Sequence, residues 1–272
     1  MSIHVKALAS GSSGNAFLVR AGETTLLFDA GLSGKELEKR LRAHGIAPGG
    51  LDAILVSHEH SDHILGAATL ARLYRAPIVA NRATLARLKV ATTRVTTEEL
   101  PTGVTRRLGR VAVTTFPVPH DAREPVGFAI EYDGWRMCLA TDIGFDAPEL
   151  EPHIAAADLV VLEANHDVET LRTGPYPWPL KSRILGNGGH LSNDQSARLL
   201  ERAFARVPRR RRWLWLAHLS QDNNTPRKAR DQVALRLDLA SCLRDVTIDV
   251  ARRDVPSAEW HSGLLAQQLS LF

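Results

Sequence analysis

The sequence predicts an α/β (α+β) fold, two packed sheets with helices on their outer faces. Three observations predict it. Strand-like apolar runs come in two blocks, each block gives way to amphipathic helical stretches, and the runs end at polar clusters that would gather along one edge. With 272 residues, 44% of them apolar, the chain can bury a full core in one large domain.

The first block holds Ile3-Leu8, Ala16-Val19 and Thr24-Asp29, separated by Gly-Ser and Ala-Gly-Glu reversals, which reads as antiparallel sheet. Ser33-Gly34-Lys35-Glu36 is a capping box for a helix whose Leu37, Leu41 and His44 share a face and which Gly45 closes. Ala53-Val56 is a compact strand, followed by a charged cluster and a helical stretch expected to pack Leu65, Ala68 and Leu73 inward. The second block holds Val111-Phe116, Val126-Glu131, Arg136-Ala140 and Leu159-Leu162. Residues 165–189 carry Pro175, Pro177, Pro179 and several glycines, so a long loop or lid is expected there. Ser192-Asn193-Asp194-Gln195 is a second capping box, and Leu199, Leu200, Ala203 and Phe204 give its helix an apolar face. Trp213-Ala217 is a short strand ending at His218.

Composition narrows the function classes. The chain opens without an apolar signal stretch, and no run approaches the roughly 18 apolar residues of a membrane span, so a soluble cytoplasmic protein with no membrane partner is expected. Cys138 and Cys242, both in apolar stretches, suit buried thiols better than a disulfide or a thiolate metal site. A formal charge of +4, part of it in Arg209-Arg210-Arg211-Arg212, suits an anionic partner, although on charge alone basic residues scattered over a solvated surface explain it better.

The chemistry concentrates in His58-Glu59-His60-Ser61-Asp62-His63, directly after a buried strand. In an extended loop His58 and His60 point to one side, while Asp62 and His63 just beyond the turn face a second centre, so one cation per pair is the natural reading. Imidazole nitrogen and carboxylate oxygen suit zinc or manganese, with iron a further option.

That His-x-His-x-Asp-His loop resembles the signature of the metallo-β-lactamase superfamily, and the remaining stations follow in order at Pro119-His120-Asp121, Thr141-Asp142 and His218. The resemblance implies the αββα four-layer sandwich and two divalent metal ions. One would be held by His58, His60, His120 and Asp142, the other by Asp62, His63, Asp142 and His218. Two such cations about 3.5 to 4 Å apart activate water between them and clamp attacking and leaving oxygens. Asp62 is the candidate to orient or deprotonate that water.

The metal loop alone names no substrate. Glu163 in Leu162-Glu163-Ala164-Asn165-His166-Asp167, His190 in Gly189-His190-Leu191-Ser192-Asn193, and Ala217-His218-Leu219-Ser220 resemble the phosphodiesterase branch that includes ribonuclease Z. There a glutamate and a non-ligand histidine assist cleavage; here His190 precedes a capped helix whose N-terminus suits a phosphate, and Glu163 would orient it. Leu8-Ala9-Ser10-Gly11-Ser12-Ser13-Gly14-Asn15, Gly174-Pro175-Tyr176-Pro177, Arg183-Ile184-Leu185-Gly186 and Asn223-Asn224 resemble the YycJ-like (WalJ-like) bacterial proteins over nearly the whole chain. That family implies 5′-to-3′ exonuclease action on DNA in replication or repair, with ribonuclease or small-molecule phosphodiesterase or esterase action as the alternative. A scaffold with a vestigial site is a third reading. Ser13, Asn15, Lys181, Arg183, Asn193, Asn223 and Asn224 are the candidate substrate contacts, with the arginine run.

The last five residues, Gln268-Leu269-Ser270-Leu271-Phe272, resemble the Gln-Leu-Ser/Asp-Leu-Phe peptide with which bacterial proteins dock on the replicative sliding clamp. Leu269, Leu271 and Phe272 would anchor in an apolar groove and Gln268 would make polar contacts at its mouth. The chain thus divides into a hydrolase domain, 1–265, and a tail, 266–272.

Overall fold

A computed structural model describes residues 2–47, 49–88 and 95–263. The first block contains β1 (Ile3–Ala9), β2 (Ala16–Ala21), β3 (Thr24–Phe28), α1 (Gly34–Ala43), β4 (Ala53–Leu55), α2 (Ser61–Ile64), α3 (Ala67–Tyr74), β5 (Ile78–Ala80), α4 (Arg82–Leu85) and β6 (Thr97–Glu99). The second contains β7 (Thr105–Leu108), β8 (Val111–Pro117), β9 (Val126–Tyr132), β10 (Trp135–Ala140), α5 (Glu151–Ala156), β11 (Leu159–Glu163), α6 (Val168–Thr173), α7 (Trp178–Leu185), α8 (Asn193–Ala205), β12 (Arg212–Ala217), α9 (Pro226–Leu239) and β13 (Val246–Val250). A last strand, β14 (Glu259–His261), returns to pair with β1.

Two 7-stranded sheets result, ordered β14-β1-β2-β3-β4-β5-β6 and β13-β12-β11-β10-β9-β8-β7. Each has an antiparallel part and a parallel part; β3 to β6 run parallel in one and β10 to β13 in the other. Strand alternation sorts the side chains into layers. Leu26 and Phe28 of β3 and Leu159 and Val161 of β11 face the core between the sheets, where Phe28 meets Phe128 edge-on at 5.1 Å. Their alternates turn outward: Leu27 to α1 and α3, Val160 and Leu162 to α5, α8 and α9. This is the four-layer αββα sandwich.

At the open end of the inter-sheet core, Trp260 of β14 is buried against Trp135 and Trp213, with ring centroids 5.6 and 5.8 Å away. Trp260→Ala leaves a cavity that a three-residue strand cannot collapse, and should destabilise the fold by about 3–5 kcal/mol in denaturant unfolding.

Several local expectations need correction. On α3 the buried face is Ala67, Leu70, Ala71 and Tyr74; Leu65 is 62% exposed, Leu73 38% exposed and Ala68 half-buried. Gly66 packs against Leu32 and donates to Ala30 O, and this sets the helix one step out of the expected phase. Residues 165–189 hold two short helices instead of a continuous loop: Asp167 caps α6 through Thr170 N, Pro175 falls in the link between them, and Pro177 and Pro179 fall at the start of α7, where a missing N–H costs nothing. The capping box at Ser192 and Gln195 forms in full, whereas that at Ser33 forms by half, because Glu36 turns to Arg40 at 2.8 Å. Among the described residues no helix is long and apolar enough to cross a membrane. The proposed clamp-docking residues Gln268, Leu269, Leu271 and Phe272, and the 265/266 boundary, lie outside the described residues.

Candidate metal centre

Parallel strands deliver their C-terminal ends to one crevice, the usual ligand position of such sheets. There β3 is followed by Asp29, β4 by Ser57 and His58, β10 by Asp142 and β12 by His218, while β11 ends in Glu163. Asp29, Asp142 and His218 hold left-handed backbone, with φ of 58°, 59° and 53°. Each such non-glycine residue costs on the order of 1–3 kcal/mol and marks a place where the fold forces a side chain into position. The loop 58–63 is pressed against residues 14–31: Asn15 N donates to Asp62 O at 2.8 Å and Ala30 N to His63 O at 2.8 Å. Gly31 is required there, since a Cβ would lie 1.6 Å from Asp62 O.

Ligand-type atoms of His58, His60 and His120 lie within 4.8 Å of one another, as do those of Asp62, His63, Asp142 and His218. Asp142 stands between the groups, Oδ2 3.1 Å from His63 Nε2 and Oδ1 3.8 Å from His120 Nε2. A further group joins Asp142, Glu163, His190 and His218.

Four imidazoles are each anchored through Nδ1. His58 donates to Ser57 Oγ at 3.0 Å, His63 to Asp29 Oδ2 at 2.8 Å, His120 to Gly189 O at 3.0 Å and His218 to Glu163 Oε1 at 2.7 Å. Each Nε2 is thereby directed to the crevice, the tautomer and orientation that supporting groups impose on metal-binding histidine. His58 Nε2, His218 Nε2 and Asp142 Oδ2 are buried without a hydrogen-bond partner, which is costly unless something else binds them. Burial, reinforced by the neighbouring His63, holds His58 well below the usual histidine range, and burial also lowers His120, so both favour the neutral, ligating form. Burial would raise the Asp142 carboxyl, but His218 and His63 outweigh it and hold the group well below the usual range. Nitrogen and oxygen donors of this charge fit a pair of divalent cations.

Glu163 is wholly buried and saturated: Oε1 accepts from His190 Nδ1 at 2.9 Å as well as from His218, and Oε2 from Ile143 N at 2.8 Å and Leu191 N at 3.0 Å. Its acceptor positions are turned to these partners and away from the cavity, and it holds two histidines in place. Burial alone would raise its carboxyl; the two imidazoles, His190 first, bring it down to about 2. His190 lines the cavity over the site, of about 250 Å3, together with Ser12, Asn165, Tyr176, Arg183 and Ser220. Arg183 reaches it while paired to Asp121 at 2.7 Å.

The other candidate contacts fall elsewhere. Ser13 is exposed on the turn beside the cavity, which Ser12 lines instead. Asn15 is buried beneath the loop, Nδ2 3.1 Å from His63 Nε2, and supports the ligands. Lys181 is buried and donates to Arg172 O and Gly174 O, closing α6. Asn193, Asn223 and Asn224 are buried in a polar network; Asn224 Nδ2 bonds Ala164 O, and Asn193 Nδ2 bonds Gln232 Oε1. In the arginine run, Arg210 pairs with Asp158 and Arg212 is buried, both at the end of β12 opposite His218. Asp29 and Ser57 escape a reading of the sequence, their signal being only a strand-end acid before Ala30-Gly31 and the serine preceding His58.

Residues 24–210 match the family model described as beta-lactamase superfamily domain. The chain is 38% identical over 241 residues to exodeoxyribonuclease YycJ of Bacillus anthracis, covering 88% of this chain and 90% of that protein. It is 40% identical over 224 residues to exodeoxyribonuclease WalJ of Streptococcus pneumoniae, covering 80% and 81%. The metallo-β-lactamase fold protein YhfI of Bacillus subtilis superimposes with a TM-score of 0.73 at 17% identity, over 96% of this chain and 99% of that one, a likeness of fold. Strand ends, ligand order and relatives agree, and the chain belongs to the metallo-β-lactamase superfamily, within its YycJ- and WalJ-like group.

Proposed function

We propose that this protein is a metal-dependent exonuclease that hydrolyses DNA phosphodiesters from the 5′ end, in replication or repair. The carrying observation is the set of four Nδ1-anchored histidines aimed at one crevice around Asp142; the names of the relatives supply the substrate. In this reading His58, His60, His120 and Asp142 hold one cation, and Asp62, His63, Asp142 and His218 the other, zinc or manganese suiting both. When bound, the pair supplies Lewis-acid activation of water and neutralises phosphoryl charge. The chain's own groups do the rest. Asp62, half-buried at the crevice, orients the attacking water. His190, held by Glu163, protonates the leaving oxygen. Arg183 meets a flanking phosphate at the rim, and Tyr176 offers a ring to a terminal base.

End-labelled duplex and single-stranded DNA, RNA and an aryl phosphodiester compared on the metal-loaded protein test this. DNA shortened stepwise from its 5′ end, with binding that weakens steeply with salt, is the expected result. Preference for RNA, or turnover of the aryl ester alone, would overturn the DNA assignment.

Clamp docking belongs to the same proposal and rests on the sequence Gln268-Leu269-Ser270-Leu271-Phe272, as does the division into a domain, 1–265, and a tail. A cytoplasmic setting accords with a DNA substrate and with the unpaired thiols of Cys138 and Cys242. Deleting residues 268–272 should abolish capture by a bacterial sliding clamp in a surface-binding assay while activity on free DNA persists. Unchanged clamp affinity would refute the docking.

A further inference from the structure

The arginine run builds something that the metal centre does not use. Arg212 opens β12 at the end away from His218, and the 6 residues of that strand, at about 3.3 Å each, place it roughly 20 Å from the crevice. Its side chain is buried, at 3% exposed. Among the described residues the guanidinium donates only to carbonyls, Ala155 O at 3.2 Å and Arg210 O at 3.4 Å, and lies over the Phe204 ring at 5.1 Å. The neighbouring carboxylate, Asp158, is taken by Arg210, and Arg212 Nε is buried with no hydrogen-bond partner among the described residues. A guanidinium cannot shed its proton to escape burial, and among the described residues Asp158 and Asp245 act on this one only at a distance, with no carboxylate in direct contact, so the fold leaves room for a closer anion.

Beside it lies a cavity of about 210 Å3 lined by Arg209, Arg210 and Arg212 against a single carboxylate, Asp245, with Phe204 on its apolar side and Cys242 in its wall. Small-molecule pockets run from about 300 to 1,000 Å3, so this one suits a compact anion better than a whole nucleotide. We propose that the cavity is a second anion site that binds a phosphate group, with Arg212 as its buried donor and Arg209 closing over it from the exposed mouth.

Cys242 gives a local reporter. Cys138, the other thiol, is fully buried and pushed up to about 12 by that burial, so a neutral alkylating reagent reads Cys242 in the folded protein. On the metal-loaded full chain, inorganic phosphate should slow alkylation of Cys242, whereas sodium chloride at matched ionic strength should not. Phosphate held at the distant metal centre would leave this rate unchanged. Arg212→Met and Arg209→Ala should each raise the phosphate concentration for half-protection about tenfold, the effect of losing one charge-assisted hydrogen bond. Arg209 is exposed, so Arg209→Ala keeps the test valid even if Arg212→Met fails to fold. A parallel arm replaces phosphate with a 5′-phosphorylated oligonucleotide. Protection by phosphate supports a free-anion site, protection by the oligonucleotide alone supports a DNA-terminal one, and protection by neither overturns the proposal. Protection that survives undiminished in the folded variants overturns it as well.

Discussion

Asp142→Ala should reduce DNA hydrolysis by more than about 100-fold, the upper range for losing a group that merely supports a metal ligand. In the proposed assignment Asp142 is no mere support but a ligand to both cations. Its Oδ2 lies 3.1 Å from His63 Nε2, and its Oδ1 lies 3.4 Å from His218 Nδ1 and 3.8 Å from His120 Nε2, so a single truncation uncouples both donor groups. Four mutually close imidazoles would also lose the carboxylate that balances them, and each ligand group would bind cation more weakly. Metal content by plasma emission should fall below two equivalents, and circular dichroism should confirm that the sheets persist. Full hydrolysis at normal metal content would refute the shared-ligand assignment. A biological effect retained with all metal lost would instead favour the scaffold reading.

His190→Ala is expected to lower kcat about 10²- to 10⁴-fold, the range for general acid–base groups, with a smaller change in KM. The contrast with Glu163→Gln is the informative part. Glu163 Oε1 accepts from both His190 and His218, so removing its charge should depress kcat and also weaken cation affinity by about 10- to 100-fold. His190→Ala touches only the first effect. In a double variant, Glu163→Gln should therefore still worsen metal binding while adding little to the loss of kcat. Metal titration of the single variants decides this: an unaltered affinity in Glu163→Gln would show that the bond to His218 orients nothing of consequence. Excess imidazole restoring part of the turnover of His190→Ala, but not of Glu163→Gln, would separate the proton donor from its holder.

What could be read from the residues differs sharply by type. The loop 58–63 is legible because three imidazoles and two carboxylates directly after an apolar strand have no packing explanation; the structure gathers His58, His60, Asp62 and His63 at the crevice, while Glu59 turns aside to accept from Arg123 N. The outlying His120, Asp142 and His218 were legible from order and strand-end setting, and the two-sheet architecture from the two blocks of alternating runs. Asparagines defeated the same reasoning. An Asn can bond a phosphate or another protein group with equal ease, and depth, which a sequence does not encode, turns Asn224 to the Ala164 carbonyl and Asn193 to the side chains of Gln232 and Asn224. Depth governs Lys181 as well: its stem is buried and its ammonium donates to two carbonyls at the end of α6. Asp29 stayed hidden because an acid preceding Ala-Gly after a strand looks like a turn former, whereas its partner His63 lies 34 residues further on. The face of α3 differs in phase, Ala67, Leu70, Ala71 and Tyr74 turning inward where Gly66 lies close against Leu32, a tertiary contact that no local pattern displays.

The three left-handed residues at the crevice, Asp29, Asp142 and His218, bear on how the site keeps its shape. Asp and His tolerate that geometry better than most residues, yet at a cost, and at this corner the cost is met by contacts from both sheets, Asp29 following a strand of one and Asp142 and His218 strands of the other. The margin thus borrows its form from the slab that encloses it, and a change that loosens either sheet would be felt at this corner.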